Sequence, residues 1–174
     1  AMARKLNKST MLLEEWKRIC RLHALPELKL ITAAATRWNS HYEQIERAKN
    51  YRAVYHDITV GNQVYSAFAI SDSEWTLLNW LHATLYHLNV CSKYVSVTKL
   101  PSIGFMIPCF SRLIDLFENE PEEGLELPEE RERRRLGTEA AIKKLQFYYS
   151  HTVNNPYYTF GMSKFSQNCM SNLR

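Results

Sequence analysis

The sequence predicts an all-α protein, a single multi-helix domain of about five helices. Only 5 glycines and 6 prolines occur among the 174 residues, a composition that favours helices over a barrel or sandwich. Apolar residues recur at helical spacing in several segments. A Ser-x-x-Glu pattern directly before one of these segments is typical of a helix start. Hydrophobic residues make up 45% of the chain, which suits one globular domain with a sizeable core.

The N-terminal quarter is predicted to contain one helix between two irregular segments. Residues 1–8 are polar and basic, and we expect a disordered or tag-derived lead-in there. Ser9 can cap a first helix that extends to about Leu25, and Pro26 ends it. Residues 28–35 are ambiguous, because their alternating leucines also fit a short extended piece.

The second and third helices have recognisable starts. A second helix is predicted from about Ser40 to Asp57, with Ser40 and Glu43 as its capping box. The third, about residues 72–95, begins at a capping box of Ser71 and Glu74. Its apolar residues are too many for a solvent-facing stripe, so we expect it to be central: Trp75, Leu78, Leu81, Leu85 and Leu88.

The C-terminal half is predicted to hold two more helices. The fourth spans about residues 102–119 and should be kinked or split at Pro108. An acidic loop then leads to a fifth helix that begins at Pro128 and ends near Tyr149. We assign the helical domain to residues 9–150, followed by a tyrosine- and asparagine-rich segment, residues 151–174.

Three runs of sequence carry a family resemblance. They are TRWNSHYEQIERA from Thr36, ISDSEWTLL from Ile70, and SKYVSVTKLPSIGFMIPCFSRLIDLF from Ser92. In this order they resemble the helical insertion domain of hAT-type DNA transposases, over roughly residues 28–150. The resemblance implies an RNase H-like catalytic domain whose two Asp and one Glu flank the insertion. No such set surrounds the insertion here, so we expect no enzyme activity from the chain alone.

The resemblance also implies a DNA contact just before the second helix. An indole can stack on an unpaired base and a guanidinium can hold a phosphate, which are the roles expected of Trp38 and Arg37. Arg47, Lys49 and Arg52 decorate the same predicted helix and are further candidates for binding the DNA backbone. The alternatives without a DNA role are that Trp38 anchors the core under the second helix and that the basic residues only keep the protein soluble.

A second function class remains open beside the DNA-associated module. The chain could be a domesticated protein-interaction module, such as a secreted effector or a regulatory factor, with no DNA role. An exposed apolar patch would favour this alternative, whereas a continuous basic face containing Arg37 would favour DNA. The expected location is nuclear in the first case and secreted, after signal-peptide removal, in the second.

Other kinds of site have little support in the sequence. No run of 18 or more apolar residues suggests a membrane span, and no cofactor motif is recognisable. His87 with Cys91 and Cys20 with His23 are helix-spaced pairs that could in principle bind zinc, but the spacings match no known finger, so we predict no metal. The widely spaced cysteines are expected to be buried, reduced thiols.

Overall fold

The computed structural model describes residues 2–34, 38–61, 63–96, 102–119 and 128–171. Within these ranges the regular structure is entirely helical, which confirms the all-α prediction. The described ranges contain nine α-helices, more than the expected five. They are α1 (Met2–Lys8), α2 (Thr10–Leu22), α3 (Trp38–Asn50), α4 (Arg52–Val60), α5 (Gln63–Ser66), α6 (Asp72–Val95), α7 (Met106–Glu118), α8 (Pro128–Val153) and α9 (Pro156–Ser171), with a 3-10 turn at Ser102–Phe105.

The chain divides into two compact units, Ala1–Tyr86 and His87–Arg174. The N-terminal unit contains α1 to α5 and the first part of α6, and the C-terminal unit contains the rest. None of the described helices is long and apolar enough to cross a bilayer.

The core of the N-terminal unit is built around α1, α2 and α4. Leu6, Leu12, Trp16 and Val54 are almost completely buried there. The lead-in prediction is therefore wrong for residues 2–8, which form a helix whose apolar side chains enter the core. This helix is hard to recognise in the sequence, because its few apolar residues lie a helical turn apart and basic or polar residues stand between them.

Helix α2 begins as predicted and ends early. The Ser9 side chain accepts a hydrogen bond from the Leu12 amide at 3.3 Å, so Ser9 is the N-cap. After Leu22 the chain turns through Ala24, whose φ of 53° lies in the left-handed region. The segment up to residue 34 is neither helix nor strand.

The second predicted helix is two helices, α3 and α4, separated at Tyr51. The Tyr51 hydroxyl donates to the Pro26 carbonyl at 2.7 Å, and its ring stacks on Trp16. These contacts fix Tyr51 in a turn between the helices. The capping box expected at Ser40 is also wrong, because α3 already begins at Trp38.

Helix α6 matches its predicted bounds and its predicted cap. The Ser71 amide donates to Glu74 Oε2 at 2.8 Å, and the Glu74 amide donates to Ser71 Oγ at 3.3 Å. Trp75 is buried against the edge of Tyr55. The expectation that α6 is the centre of the core is wrong, since its later leucines, Leu78, Leu81, Leu85 and Leu88, are only half-buried.

In the C-terminal unit, α7 packs along α8, and α9 packs on the 3-10 turn. The predicted fourth helix is divided into the 3-10 turn and α7, and Pro108 is the third residue of α7, where the amide that proline lacks has no partner within the α-helix. A Cβ on Gly161 would meet Ile103 Cγ2 at 2.5 Å, so the close approach of α9 to the turn requires glycine. Helix α9 was not predicted, although Asn155 caps it by accepting from the Tyr157 amide at 3.0 Å.

Candidate nucleic-acid interface

The irregular segment before α3 is held in place by side chains of that helix. Gln44 Nε2 donates to the Ile31 carbonyl at 2.9 Å, and Arg47 donates to the Lys29 carbonyl at 3.0 Å. The side chain of Leu30, between these two carbonyls, is buried. Backbone groups that form no helix or sheet are thereby satisfied, and the segment has a fixed path towards the start of α3.

A second set of contacts fixes the chain on both sides of residues 35–37. Ser40 Oγ accepts from the Ala34 amide at 2.9 Å and donates to the Ala34 carbonyl at 3.1 Å. These bonds join Ala34 to the first turn of α3, at the end of the helix where its dipole is positive. Arg37 and the side chain of Trp38 lie outside the described part of the chain, although α3 itself begins at Trp38.

Arg47 and Lys49, near the end of α3, both have partners within the protein. Besides its bond to Lys29, the Arg47 guanidinium lies 5.9 Å from the ring centroid of Tyr51. Lys49 Nζ lies 3.2 Å from Nδ1 of His82. Both side chains are half-buried, so each has a structural role whether or not it also meets a phosphate.

Burial and the contact with Lys49 together favour the neutral form of the His82 imidazole. A lysine ammonium can only donate, so Nδ1 accepts and the ring proton resides on Nε2. Burial, followed by the positive charge of Lys49, lowers the pKa of His82 below its usual range, and Glu46 opposes this shift. His82 is therefore neutral near pH 7 and stacks on Tyr42 with 4.8 Å between ring centroids.

Arg52, at the start of α4, is in an environment that is less favourable for phosphate. Its NH2 group lies 2.7 Å from Asp72 Oδ1, and the guanidinium lies 5.1 Å from the ring centroid of Trp75. Asp57 borders the same cavity of about 670 Å³. Its pKa is lowered mainly by the hydrogen bond from His23, at 2.8 Å. The Asp72 carboxylate therefore offsets the positive charge of Arg52, and Asp57 adds a second negative charge to the lining of the cavity.

Two basic residues of α8 are also paired with acids or rings. Arg135 on α8 forms ion pairs with Glu132 and Glu139. The Lys144 ammonium lies 5.2 Å from the ring centroid of Tyr148 and 5.9 Å from that of Phe147. The charge cluster that follows Pro128 is thus a mixed surface rather than a uniformly basic one.

Large apolar side chains are exposed along α8 and α9. We call this set the α8–α9 apolar set: Leu136, Phe147, Tyr148, Val153, Tyr157, Phe160 and Met162. Tyr157 is 75% exposed and Phe160 is 65% exposed, and exposed apolar side chains that form a contiguous patch mark an interaction surface. Sequence reasoning missed this set, although Lys144, Phe147, Tyr148 and His151 have the spacing of one helical face.

The described residues bring together no group of three or more His, Cys, Asp or Glu that could hold a metal ion. Of the helix-spaced pairs considered above, Cys20 is fully buried in the core. His23 bonds to Asp57 instead. The two pairs belong to different units, since Cys20 and His23 precede Tyr86 and His87 and Cys91 follow it.

Comparison with known protein families supports a hAT-transposase-like helical domain in the N-terminal part of the chain. Residues 1–84 match the family model described as the ZBED1 RNase-like helical domain, so this part of the chain is similar to that family. The match covers 84 of 174 residues and includes the Thr36–Ser40 segment. No curated protein and no solved structure matches the chain.

The matched part corresponds to the helical portion of a transposase-derived protein and not to a catalytic core. The family match therefore supports the resemblance found in the sequence. Residues that mattered for the site but were missed in the sequence are Gln44 and His82. Their partners, Ile31 and Lys49, are distant in the chain, so no local pattern marks them.

Proposed function

We propose that the chain is a non-catalytic helical module of a hAT-transposase-like protein that contacts DNA at the entrance to α3. Arg37 would hold a backbone phosphate, and Trp38 would stack on an unpaired base. Arg47, Lys49 and Arg52 would add long-range positive charge along the same helices. A protein with this function would be expected in the nucleus.

One observation carries the proposal, namely that the chain is anchored on both sides of residues 35–37. Ser40 binds both backbone groups of Ala34, and Gln44 and Arg47 hold the segment upstream of it. A binding loop gains affinity when its ends are fixed before the ligand arrives, since less conformational entropy is then lost. The family match, over residues 1–84, includes this segment.

The test is fluorescence anisotropy of the full chain with labelled single-stranded, double-stranded and branched DNA, measured across a range of salt concentrations. Arg37→Ala should weaken binding and reduce the salt slope by about 1, as expected for one lost phosphate contact. Trp38→Ala should weaken binding to single-stranded or branched DNA by roughly 1–3 kcal/mol. Arg112→Ala, an exposed arginine on α7, is the control for removing one positive charge elsewhere.

Thermal unfolding of the same variants separates binding from folding. The proposal requires that Trp38→Ala leaves the melting temperature nearly unchanged. A loss of about 3–5 kcal/mol of stability without a separate effect on binding would make Trp38 a core anchor and would refute its DNA role. Incubation of the chain with DNA and Mg²⁺ or Mn²⁺ should give no cleavage, and cleavage abolished by a carboxylate substitution would contradict the non-catalytic assignment.

The α8–α9 apolar set favours a second candidate, a protein-interaction module without a DNA role. Exposed rings such as those of Tyr157 and Phe160 bind proteins more readily than phosphates. The first partner to test is a second copy of the chain, by sedimentation velocity. Tyr157→Ser and Phe160→Ser should change stability by less than about 0.5 kcal/mol and abolish self-association, whereas a monomeric wild-type chain would exclude this partner.

A further inference from the structure

One side of α8 is exposed along most of the length of the helix. Its residues follow one another at intervals of three or four positions, which places them on one helical face. All of them are exposed, and we call them the outer face of α8: Arg133, Leu136, Ala140, Lys144, Phe147 and His151. Arg134 and Thr152, on the other side of the helix, are buried. The described part of the chain therefore leaves the outer face to solvent.

The charged side chains of the outer face are all basic. Glu139 is the one acidic residue of α8 beyond Arg133, and it pairs with Arg135 on an adjacent side of the helix. Lys143, at the edge of the outer face, is exposed. Within the described ranges, Arg133 and Lys143 form no ion pair. Both cations are therefore available to an anionic ligand.

Aromatic rings at the C-terminal end of this face are held in fixed positions. Phe147 is 53% exposed and meets Tyr148 edge-on, with 5.5 Å between ring centroids. Tyr148 in turn stacks on Phe110 of α7. The His151 ring centroid lies 4.3 Å from that of Phe147, and Nδ1 donates to the Phe147 carbonyl at 2.8 Å, since a carbonyl can only accept. Rings that are already ordered lose little entropy when a ligand stacks on them.

We propose that the outer face of α8 binds single-stranded nucleic acid, with an unpaired base stacked on Phe147 and phosphates beside Arg133 and Lys143. Proteins that bind single strands without sequence preference combine cations along the backbone with aromatic rings that stack on bases. Lys144 Nζ lies 5.9 Å from the ring centroid of Phe147 and 5.2 Å from that of Tyr148. A phosphate next to the stacked base would therefore meet a positive charge. This site goes beyond the contact proposed at α3 and does not depend on it.

The length of the outer face sets the length of strand that it can hold. From Arg133 to His151 the helix is about 27 Å long at a rise of 1.5 Å per residue, which matches roughly eight stacked nucleotides at 3.4 Å each. A duplex could use the cations but not the ring, because its base faces are already stacked inside the helix. An acidic peptide would accept any apolar side chain at position 147. The aromatic character of Phe147 therefore distinguishes the three ligands.

The experiment is fluorescence anisotropy of the full chain with a labelled thymidine oligonucleotide of about twelve nucleotides, measured across a range of salt concentrations. Phe147→Leu should weaken binding about 5- to 150-fold, which corresponds to ~1–3 kcal/mol for one stacked base. Phe147→Trp should bind at least as tightly as the wild type, because any aromatic face can stack on a base. Arg133→Gln and Lys143→Gln should each reduce the salt slope by about 0.7, the value for one lost contact with a single strand.

Two matched controls alter the same kinds of side chain elsewhere in the C-terminal unit. Tyr94→Leu removes a ring of α6 that is 57% exposed, and Arg112→Gln removes an exposed cation of α7. Both variants should bind as the wild type does. Thermal unfolding of every variant establishes that the fold is intact, and the two charge variants on α8 keep the test decisive if Phe147→Leu is unstable.

Photocrosslinking locates the bound strand. An oligonucleotide that carries 5-iodouracil is irradiated with the wild-type chain, and peptide mapping should identify Phe147 or Tyr148. Crosslinks on α8 without any at the entrance to α3 would support this site and count against the proposed function. Crosslinks confined to the entrance to α3 would do the reverse.

Three further outcomes would overturn the proposal. One is a wild-type chain that does not bind the oligonucleotide at low salt. Another is equal binding by the wild type and Phe147→Leu, which would mean that the cations act without a stacked base. The third is a duplex of the same length that competes as well as the single strand does.

Discussion

The indole nitrogen of Trp16 donates a hydrogen bond to the carbonyl oxygen of Leu28 at 2.9 Å. Trp16 is completely buried in α2, and Leu28 lies in the irregular segment that leads to α3. The Trp16 side chain therefore packs in the core and also holds the segment that leads to the proposed DNA contact. The bond satisfies a backbone carbonyl that has no place in a helix or sheet.

Trp16→Phe should separate these two roles. Phenylalanine keeps most of the buried ring but leaves the Leu28 carbonyl without its donor, at a cost of about 1–3 kcal/mol. Trp16→Ala also removes the ring and should cost about 3–5 kcal/mol. Urea unfolding measures both, and Met11→Ala, which alters a side chain that is 76% exposed, should change stability by less than about 0.5 kcal/mol. Equal costs for the two Trp16 variants would contradict the role of the hydrogen bond.

Ala24 is a position at which a substitution should increase the stability of the fold. Its φ of 53° costs an L-residue roughly 1–2 kcal/mol. The turn also satisfies carbonyls at the end of α2, since the Leu25 amide donates to the Cys20 carbonyl at 2.9 Å. Ala24→Gly should therefore stabilise the fold by about 0.5–1 kcal/mol. Ala53→Gly, an exposed site within α4, should destabilise it by about 1 kcal/mol, and thermal unfolding compares the two.

The position of the core leads to a third prediction, on leucines of α2 and α6. Leu12 is 1% exposed, so Leu12→Ala should cost about 2–5 kcal/mol. Leu81 is only half-buried, and Leu81→Ala should cost about half as much, because less apolar surface returns to water. Chemical unfolding of both variants gives the ratio, and a larger cost at Leu81 would restore α6 as the centre of the core.

Local signals in the sequence predicted the features that depend only on neighbouring residues. The capping box of Ser71 and Glu74 formed as expected, because both partners belong to the same helix start. The same Ser-x-x-Glu pattern at Ser40 and Glu43 gave a wrong prediction of a capping box, since the Ser40 hydroxyl bonds to Ala34. A helix cap competes with any other donor or acceptor that the fold brings near, and the sequence does not show that competition.

Long-range contacts account for most of the remaining differences. The break between α3 and α4 depends on Tyr51 reaching Pro26, 25 residues earlier in the chain. Likewise, the sequence indicates which residues carry positive charge but not which groups they contact. This holds for Arg47, Lys49 and Arg52. For Arg37 and Trp38 the sequence resemblance remains the source of the proposed roles.

The last prediction concerns pH and the contact between His82 and Lys49. The folded-state pKa of His82 lies below the unfolded value of about 6.5, so the unfolded chain binds more protons between these two values. The contribution of neutral His82 to the free energy of unfolding should be complete above about pH 6.5. It should decrease as the pH falls towards the lower folded-state pKa. Protonation adds a second positive charge beside Lys49 and requires Nδ1, which now accepts, to become a donor.

Urea unfolding at several pH values between 5 and 8, combined with the imidazole titration by NMR, tests this directly. Lys49→Met removes the neighbouring charge and should raise the pKa of His82 and flatten the pH dependence, leaving only the contribution of burial. His23→Ala is a control in which the imidazole contact with Asp57 is lost and the titration of His82 is unchanged. A His82 pKa at or above its unfolded value would contradict the neutral, stacked imidazole and the contact between α3 and α6 that depends on it.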